Sequence, residues 1–297
     1  VADTLYPTVS CASLRSTHLR YAVCGDGPPL IIVPATVSLI EDWTPMLRFM
    51  GQRYRAHFFE MPGHGESSAL EGGYSSERLA SVIGEFADHL GYERFSLMGF
   101  SFGGILALRA LQAHGERVEK VGLLAPCVSH RALTRSPVDR ALVSAVISAL
   151  EYRASRRALA WLLANETAVR LVVWFMRDVG GFESPTDLRR RLMSYSESTI
   201  EVLVSQVREI MTVTEADLAG PYRCPCFFGM SENDPLLSYE LTDRFVRANF
   251  DDVVSERFAW AYHAPPEPLT FEDYVRDYGA LLEADTARVS AVVAEGI

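Results

Sequence analysis

Apolar residues along this chain fall into short uninterrupted runs, separated by stretches where they recur every third or fourth place. Leu30–Val33 and Cys226–Phe228 are such runs, the pattern of strands buried on both faces of a parallel sheet; Phe95–Met98 is a short, mostly apolar strand and Val118–Leu124 one more. Leu19–Cys24, His57–Glu60 and Val253–Trp260 read as further strands. Between them, Leu79, Val82, Ile83, Phe86 and Leu90 keep helical spacing and predict a helix over Ser76–His89. Helices are also expected at Trp43–Met50 and Phe271–Leu282. Strands alternating with helices imply parallel pairing and right-handed crossovers, hence an α/β fold with a doubly wound, mostly parallel sheet.

The pattern changes after Ala125-Pro126. From Cys127 to Ala219 the chain shows helical signals and no convincing strand. Ile200, Leu203, Val204, Val207, Ile210 and Met211 form an amphipathic stripe, and Leu159–Met176 is apolar over a wider arc. The strand pattern resumes at Cys226. The simplest organisation is a core of residues 1–126 and 220–297, interrupted by a helical cap at 127–219.

One strand-to-helix junction carries candidate chemistry. Gly99-Phe100-Ser101-Phe102-Gly103 fits G-x-S-x-G, with an apolar strand before it and an apolar helix after it. A tight turn there strains the central residue and lifts its side chain above the sheet. The helix N-terminus that follows points N–H groups at charge developing near the Ser101 hydroxyl. The bare pattern is weak, because Gly and Ser are common, and a plain helix-entry serine is the bland alternative. A serine hydroxyl needs a base, and the base needs an orienting acid. In such sheets functional groups collect at the carboxyl ends of strands. Asp234 and His263 follow the last two strands, in the order Ser, Asp, His. Glu232, Asp251 and Asp252 are rival carboxylates, and Asp234 before Pro235 also suits a helix cap. His64 lies in a glycine-dependent turn, and His18, His57, His89 and His114 read as surface or packing residues.

With these segments in place the chain resembles the α/β-hydrolase superfamily, in its capped branch of esterases, lactonases and carbon–carbon bond hydrolases. The resemblance rests on Glu60-Met61-Pro62-Gly63-His64-Gly65-Glu66-Ser67, the Ser101 turn, Asn233-Asp234-Pro235-Leu236, and His263 followed by Pro265 and Phe271. It covers nearly the whole length. The first segment is close to the family's D-x-P-G-x-G-x-S, with Glu60 in place of the usual Asp. The resemblance implies Ser101 as nucleophile, His263 as base and Asp234 as its orienting acid. Serine at 101 argues against the dehalogenases and epoxide hydrolases, whose nucleophile is Asp. Where the family carries His-Gly after the third strand, this chain has Pro34-Ala35. The implied oxyanion donors are the N–H groups of Thr36 and Phe102, with Ala35 and Val37 as alternatives to Thr36. Ala35, His130, Trp161, Trp174 and Phe175 are candidate pocket residues, since one face of a thin helical cap looks down on the site.

Composition narrows the picture. The chain has 297 residues, 48% hydrophobic and 22% charged, which suits a globule with a sizeable core. Its net charge of −10 argues against nucleic acid or an anionic membrane as partner. Apolar runs such as Leu171–Met176 are too short to span a bilayer, and Val1-Ala2-Asp3-Thr4 shows no secretion signal. Five scattered cysteines, Cys11, Cys24, Cys127, Cys224 and Cys226, read as reduced thiols of a cytoplasmic protein. Cys224-Pro225-Cys226 lacks a second ligand pair for metal. The expectation is a hydrolase without metal or cofactor, monomeric or homodimeric, acting on a largely apolar carboxylic small molecule. Ester, lactone, thioester and vinylogous diketone all suit the machinery. An acyltransferase, lyase or perhydrolase, and a low-turnover ligand receptor, are the alternatives.

Overall fold

The computed structural model describes residues 6–174, 188–264, 269–279 and 281. Among these, eight strands make one sheet: β1 (Thr8–Ser13), β2 (His18–Cys24), β3 (Pro29–Val33), β4 (Arg55–Phe59), β5 (Phe95–Phe100), β6 (Val118–Leu124), β7 (Cys226–Ser231) and β8 (Val253–Phe258). Their spatial order is β1-β2-β4-β3-β5-β6-β7-β8. Pairing is antiparallel for β1 with β2 and β2 with β4, and parallel from β4 across to β8. β1 escapes sequence reading because its residues, Thr-Val-Ser-Cys-Ala-Ser, present only Ala12 to the core.

The helices flanking this sheet are α1 (Ile40–Met50), α2 (Ser76–His89), α3 (Phe102–His114), α9 (Tyr239–Asn249) and α10 (Phe271–Asp277). The uninterrupted runs resolve into alternation. Leu30 and Ile32 of β3 join Phe58 of β4 and Leu47 and Phe49 of α1 on one face. Ile31 and Val33 join Phe86 of α2 and Ile105 and Leu108 of α3 on the other. Each such side chain contributes roughly 1.5–3 kcal/mol by leaving water, and period-two alternation divides them between two helical layers.

Between β6 and β7 lie α4 (Pro137–Leu150), α5 (Arg153–Leu163), α6 (Glu166–Trp174), α7 (Leu188–Met193) and α8 (Glu197–Thr212). They share a small apolar cluster of Leu163, Val169, Ile200 and Val204. α8 departs from its single predicted stripe. Thr199, Val202 and Gln206 are buried as well as Ile200 and Val204, so two faces of the helix are covered. Val202 belongs to the main core cluster and Ile200 to the helical one. A helix wedged between two layers must be apolar on both sides, and sequence periodicity alone registers only the stronger side.

The chain passes from β3 outward to β4, then returns past β3 to β5. That reversal makes the crevice above the carboxyl ends of β3 and β5 the natural ligand position of such a sheet.

Candidate active site

At the end of β5 the backbone turns so sharply that Ser101 sits at φ 55°, ψ −114°, a conformation L-residues rarely adopt. Close packing imposes it. A Cβ on Gly99 would stand 2.3 Å from the Gly103 carbonyl oxygen, and one on Gly103 2.7 Å from that of Val33. One on Gly104 would meet Pro126 Cβ at 2.5 Å. The strained residue is held from both sides. Its N–H donates to Leu124 C=O at 3.0 Å, and its own carbonyl accepts from Gly104 N–H at 3.0 Å and Cys127 N–H at 3.1 Å.

Distant side chains converge on the Ser101 hydroxyl. His263 Nε2 lies 2.8 Å from Ser101 Oγ, and His263 Nδ1 lies 2.7 Å from Asp234 Oδ2. An ionised carboxylate only accepts, so Nδ1 carries the proton and Nε2 is left to receive one from the serine. Asp234 is nearly buried, 7% exposed. Its other oxygen, Oδ1, accepts from Leu236 N–H at 2.8 Å and Leu237 N–H at 3.0 Å. The helix-cap alternative for Asp234 is not realised, because α9 begins only at Tyr239 and is capped by Ser238; one Asp234 oxygen ties down the loop and the other holds the imidazole. The rivals lie elsewhere. Glu232 pairs with Arg257 at 3.5 Å, and Asp251 and Asp252 precede β8, at the opposite end of that strand from His263.

The His263 ring stacks on Phe100 with centroids 5.3 Å apart and planes 28° from parallel. Phe258, Trp260 and Tyr262, in the segment leading to it, stack in series. Ser231 Oγ, at the end of β7, donates to Trp260 C=O at 2.5 Å, joining that strand end to the segment after β8. Sequence reading missed Phe100, Ser231 and Trp260 as supports, because nothing in their spacing shows that these segments touch.

Phe102 is the first residue of α3, where a helix leaves its N–H groups without intrahelical partners. Thr36 lies in the loop after β3, half-buried, and its carbonyl accepts from Ser38 Oγ at 2.7 Å. Ala35 beside it is buried.

The cap candidates do not gather at this point. Trp161 is 74% exposed and Trp174 54% exposed, so neither walls a closed pocket. Part of the wide apolar arc of α5 and α6, including Trp161, Leu171 and Trp174, faces outward, because a thin layer has too little interior to hold more than Leu163, Val169 and their neighbours. His130 Nδ1 donates to Val213 C=O at 2.9 Å, tying the chain entering the helical segment to the chain leaving it. Phe175 lies outside the described residues. His64 is buried against α8, with Nδ1 3.2 Å from Thr199 Oγ1, and burial pushes it down to about 4. His57 is pushed down to about 4 for the same reason, with Nε2 2.9 Å from Tyr92 Oη.

A cavity of about 570 Å³ is lined by Pro28, Glu119 and Pro225 at the amino ends of the strands, away from Ser101. A space of about 20 Å³ behind Asp234 and His263 has room for about one water. Among the described residues no group of three or more His, Cys, Asp or Glu is placed to hold a metal ion. No helix among them is long and apolar enough to cross a membrane.

Known proteins resemble this chain in sequence and in fold. Over 124 residues, 40% of this chain, the sequence is 36% identical to a pimeloyl-[acyl-carrier protein] methyl ester esterase of Nitrosomonas europaea, covering 45% of that protein. Over 122 residues, 41% of this chain, it is 30% identical to an N-formylmaleamate deformylase of Pseudomonas putida, again covering 45% of it. These matches span less than half the length of either relative. Among solved structures, the enol-lactonase from Burkholderia xenovorans LB400 superposes with a TM-score of 0.63 at 15% identity, over 95% of this chain and 100% of that one. That likeness speaks for the fold alone. The sequence profile of the alpha/beta hydrolase fold matches residues 28–179. With its mostly parallel sheet and its serine turn at the carboxyl end of β5, this chain belongs to the alpha/beta hydrolase fold family.

Proposed function

We propose that the protein is a serine hydrolase that cleaves a carboxylic ester, lactone or related acyl bond of a largely apolar small molecule. One observation carries the reading: the relay Ser101 Oγ, His263, Asp234, closed at 2.8 and 2.7 Å on a residue whose backbone is strained to φ 55°. In this mechanism Ser101 attacks the carbonyl while His263 Nε2 takes its proton. His263 then returns the proton to the leaving group, Asp234 stabilises the imidazolium, and water releases the acyl group by the same steps. The N–H groups of Thr36 and Phe102 are the proposed donors to the tetrahedral oxyanion, each worth about 3 kcal/mol. The cap is the helical segment 127–219. The methyl ester named for the Nitrosomonas relative and the formyl group named for the Pseudomonas one are both acyl functions, which favours acyl chemistry here.

The reading extends to a cytoplasmic monomer or homodimer that needs no cofactor and has neither nucleic acid nor membrane as partner. The test is a fluorophosphonate probe followed by a panel of esters graded by acyl length, with lactones and a thioester included. Covalent labelling lost in Ser101→Ala, together with turnover of at least one panel member, is the expected result. Unchanged turnover in Ser101→Ala excludes the mechanism. Adding an alcohol or amine acceptor separates hydrolysis from acyl transfer by product analysis.

A further inference from the structure

The carboxylate of Glu60 is entirely buried, yet it is not part of the serine relay. Its Oε1 accepts from Arg20 Nη1 at 2.7 Å and, over a longer 3.4 Å, from the N–H of Ile40, the first residue of α1. Its Oε2 accepts from Glu66 N–H at 2.8 Å. Room for this longer acid comes from Gly65, at φ 59°, where a Cβ would stand 2.2 Å from Oε2. Arg20 is held in turn by Glu41 at 2.9 Å and Glu66 at 3.4 Å. One side chain thus joins β2, the turn after β4 and the N-terminus of α1. No side chain of the N-cap residue Leu39 caps that helix. A buried carboxylate at a helix N-terminus takes up an otherwise unpaired N–H and complements the helix dipole.

The segment between β3 and α1 is the loop that carries Thr36. At its start, Gly103 packs against the carbonyls of Val33 and Pro34. At its end, Glu60 receives the Ile40 N–H. In between, Ser38 Oγ donates to Thr36 C=O. We infer that Glu60 is a positioning residue for the oxyanion loop, clamping its far end so that the Thr36 N–H faces the oxygen of the carbonyl attacked by Ser101. The inference rests on the proposed serine mechanism. Its physical content is that Pro34 stiffens only the start of this loop, so where the Thr36 peptide comes to rest depends on the anchor at the far end. Misplacing a catalytic group by about 1 Å can cost on the order of a hundredfold.

Glu60→Gln keeps the volume but replaces one acceptor oxygen by a donor, so Ile40 and Glu66 cannot both be served. The experiment measures kcat and KM on the best panel ester, well below the thermal midpoint of each variant. Glu60→Gln is expected to lower kcat about 10- to 100-fold with KM within about twofold, since the loss is confined to the transition state. Ser38→Ala, which removes only the bond to the Thr36 carbonyl, is expected to lower kcat about three- to tenfold with KM again unchanged. It decides the question if Glu60→Gln does not fold. A folded Glu60→Gln with kcat within about twofold of the parent, or a Ser38→Ala with unaltered kcat, overturns the inference while an inactive Ser101→Ala leaves the mechanism standing. If Ser101→Ala itself keeps full turnover, the mechanism falls and the positioning role falls with it.

Discussion

The turn at Ser101 and the helical layer above the sheet are built on opposite principles. Around Ser101, backbone meets backbone: Gly99, Gly103 and Gly104 leave no space for a methyl group, and the strained residue is fixed by hydrogen bonds to both neighbouring segments. In α4 to α6 the large apolar residues Val138, Leu142, Trp161, Leu171 and Trp174 face outward, and α4 has no buried residue at all. That layer is tied by pairs at the surface, such as Arg153 and Arg157 with Glu197, where solvent screens the attraction. It meets the core along α8, through Val202 in the main apolar cluster and a few polar contacts: Arg190 of α7 to Asp42 at 2.6 Å, His64 to Thr199 at 3.2 Å, and Ser76 to Glu209 at 2.7 Å. Rigid packing suits a site that must hold reacting atoms in place before reaction begins. Loose attachment suits a layer whose sequence is free to vary with the ligand.

If this contrast is right, substitutions should grade steeply from core to cap. The largest effect belongs to the relay: Asp234→Asn, which leaves His263 in the wrong tautomer, should lower kcat about 10⁴-fold with little change in KM, as steady-state kinetics would show. Next come the glycines. Gly99→Ala drives a methyl to 2.3 Å from the Gly103 oxygen, and should destabilise by about 3 kcal/mol or more or prevent folding, as measured by urea unfolding.

Acid provides the third test. His57 and His64 are held down at about 4, against an ordinary 6.5, by burial. The unfolded chain therefore takes up these protons first. Their contribution is complete above about 6.5, is lost as pH falls towards 4, and does not change further below that. The loss is on the order of 3 kcal/mol per histidine for global unfolding. His57→Phe should remove its share from a comparison of urea midpoints at high and low pH. His64, at the junction with α8, should show a smaller share if the cap lifts before the core opens. Equal shares would mean that cap and core unfold as one unit.

Asp42→Asn removes the pair to Arg190 and should cost less than about 1 kcal/mol, with any functional change confined to KM. Smallest of all, Trp161→Ala should leave stability within about 0.5 kcal/mol and kcat unaltered. A large loss of activity there would break the contrast, since it would place an exposed cap residue in the chemistry.

What the chain determined by itself is the part governed by local rules. Short apolar runs between turn residues, such as Leu30–Val33, read as strands covered on both faces, and Gly99 to Gly103 around a serine encode a turn whose strain is local. The order Ser101, Asp234, His263 placed three groups after three strands of one parallel sheet, so their meeting followed from topology. β1 was illegible because an exposed edge strand needs no apolar pattern. The outward turn of Trp161 was illegible because a helix does not record which of its sides has a neighbour. Only the tertiary structure decided that Phe100 lies under His263 and that Glu60 reaches the N-terminus of α1. Those contacts join residues 163 and 20 places apart in sequence, respectively. Contacts of this kind depend on where whole loops come to rest, and no spacing along the chain encodes that.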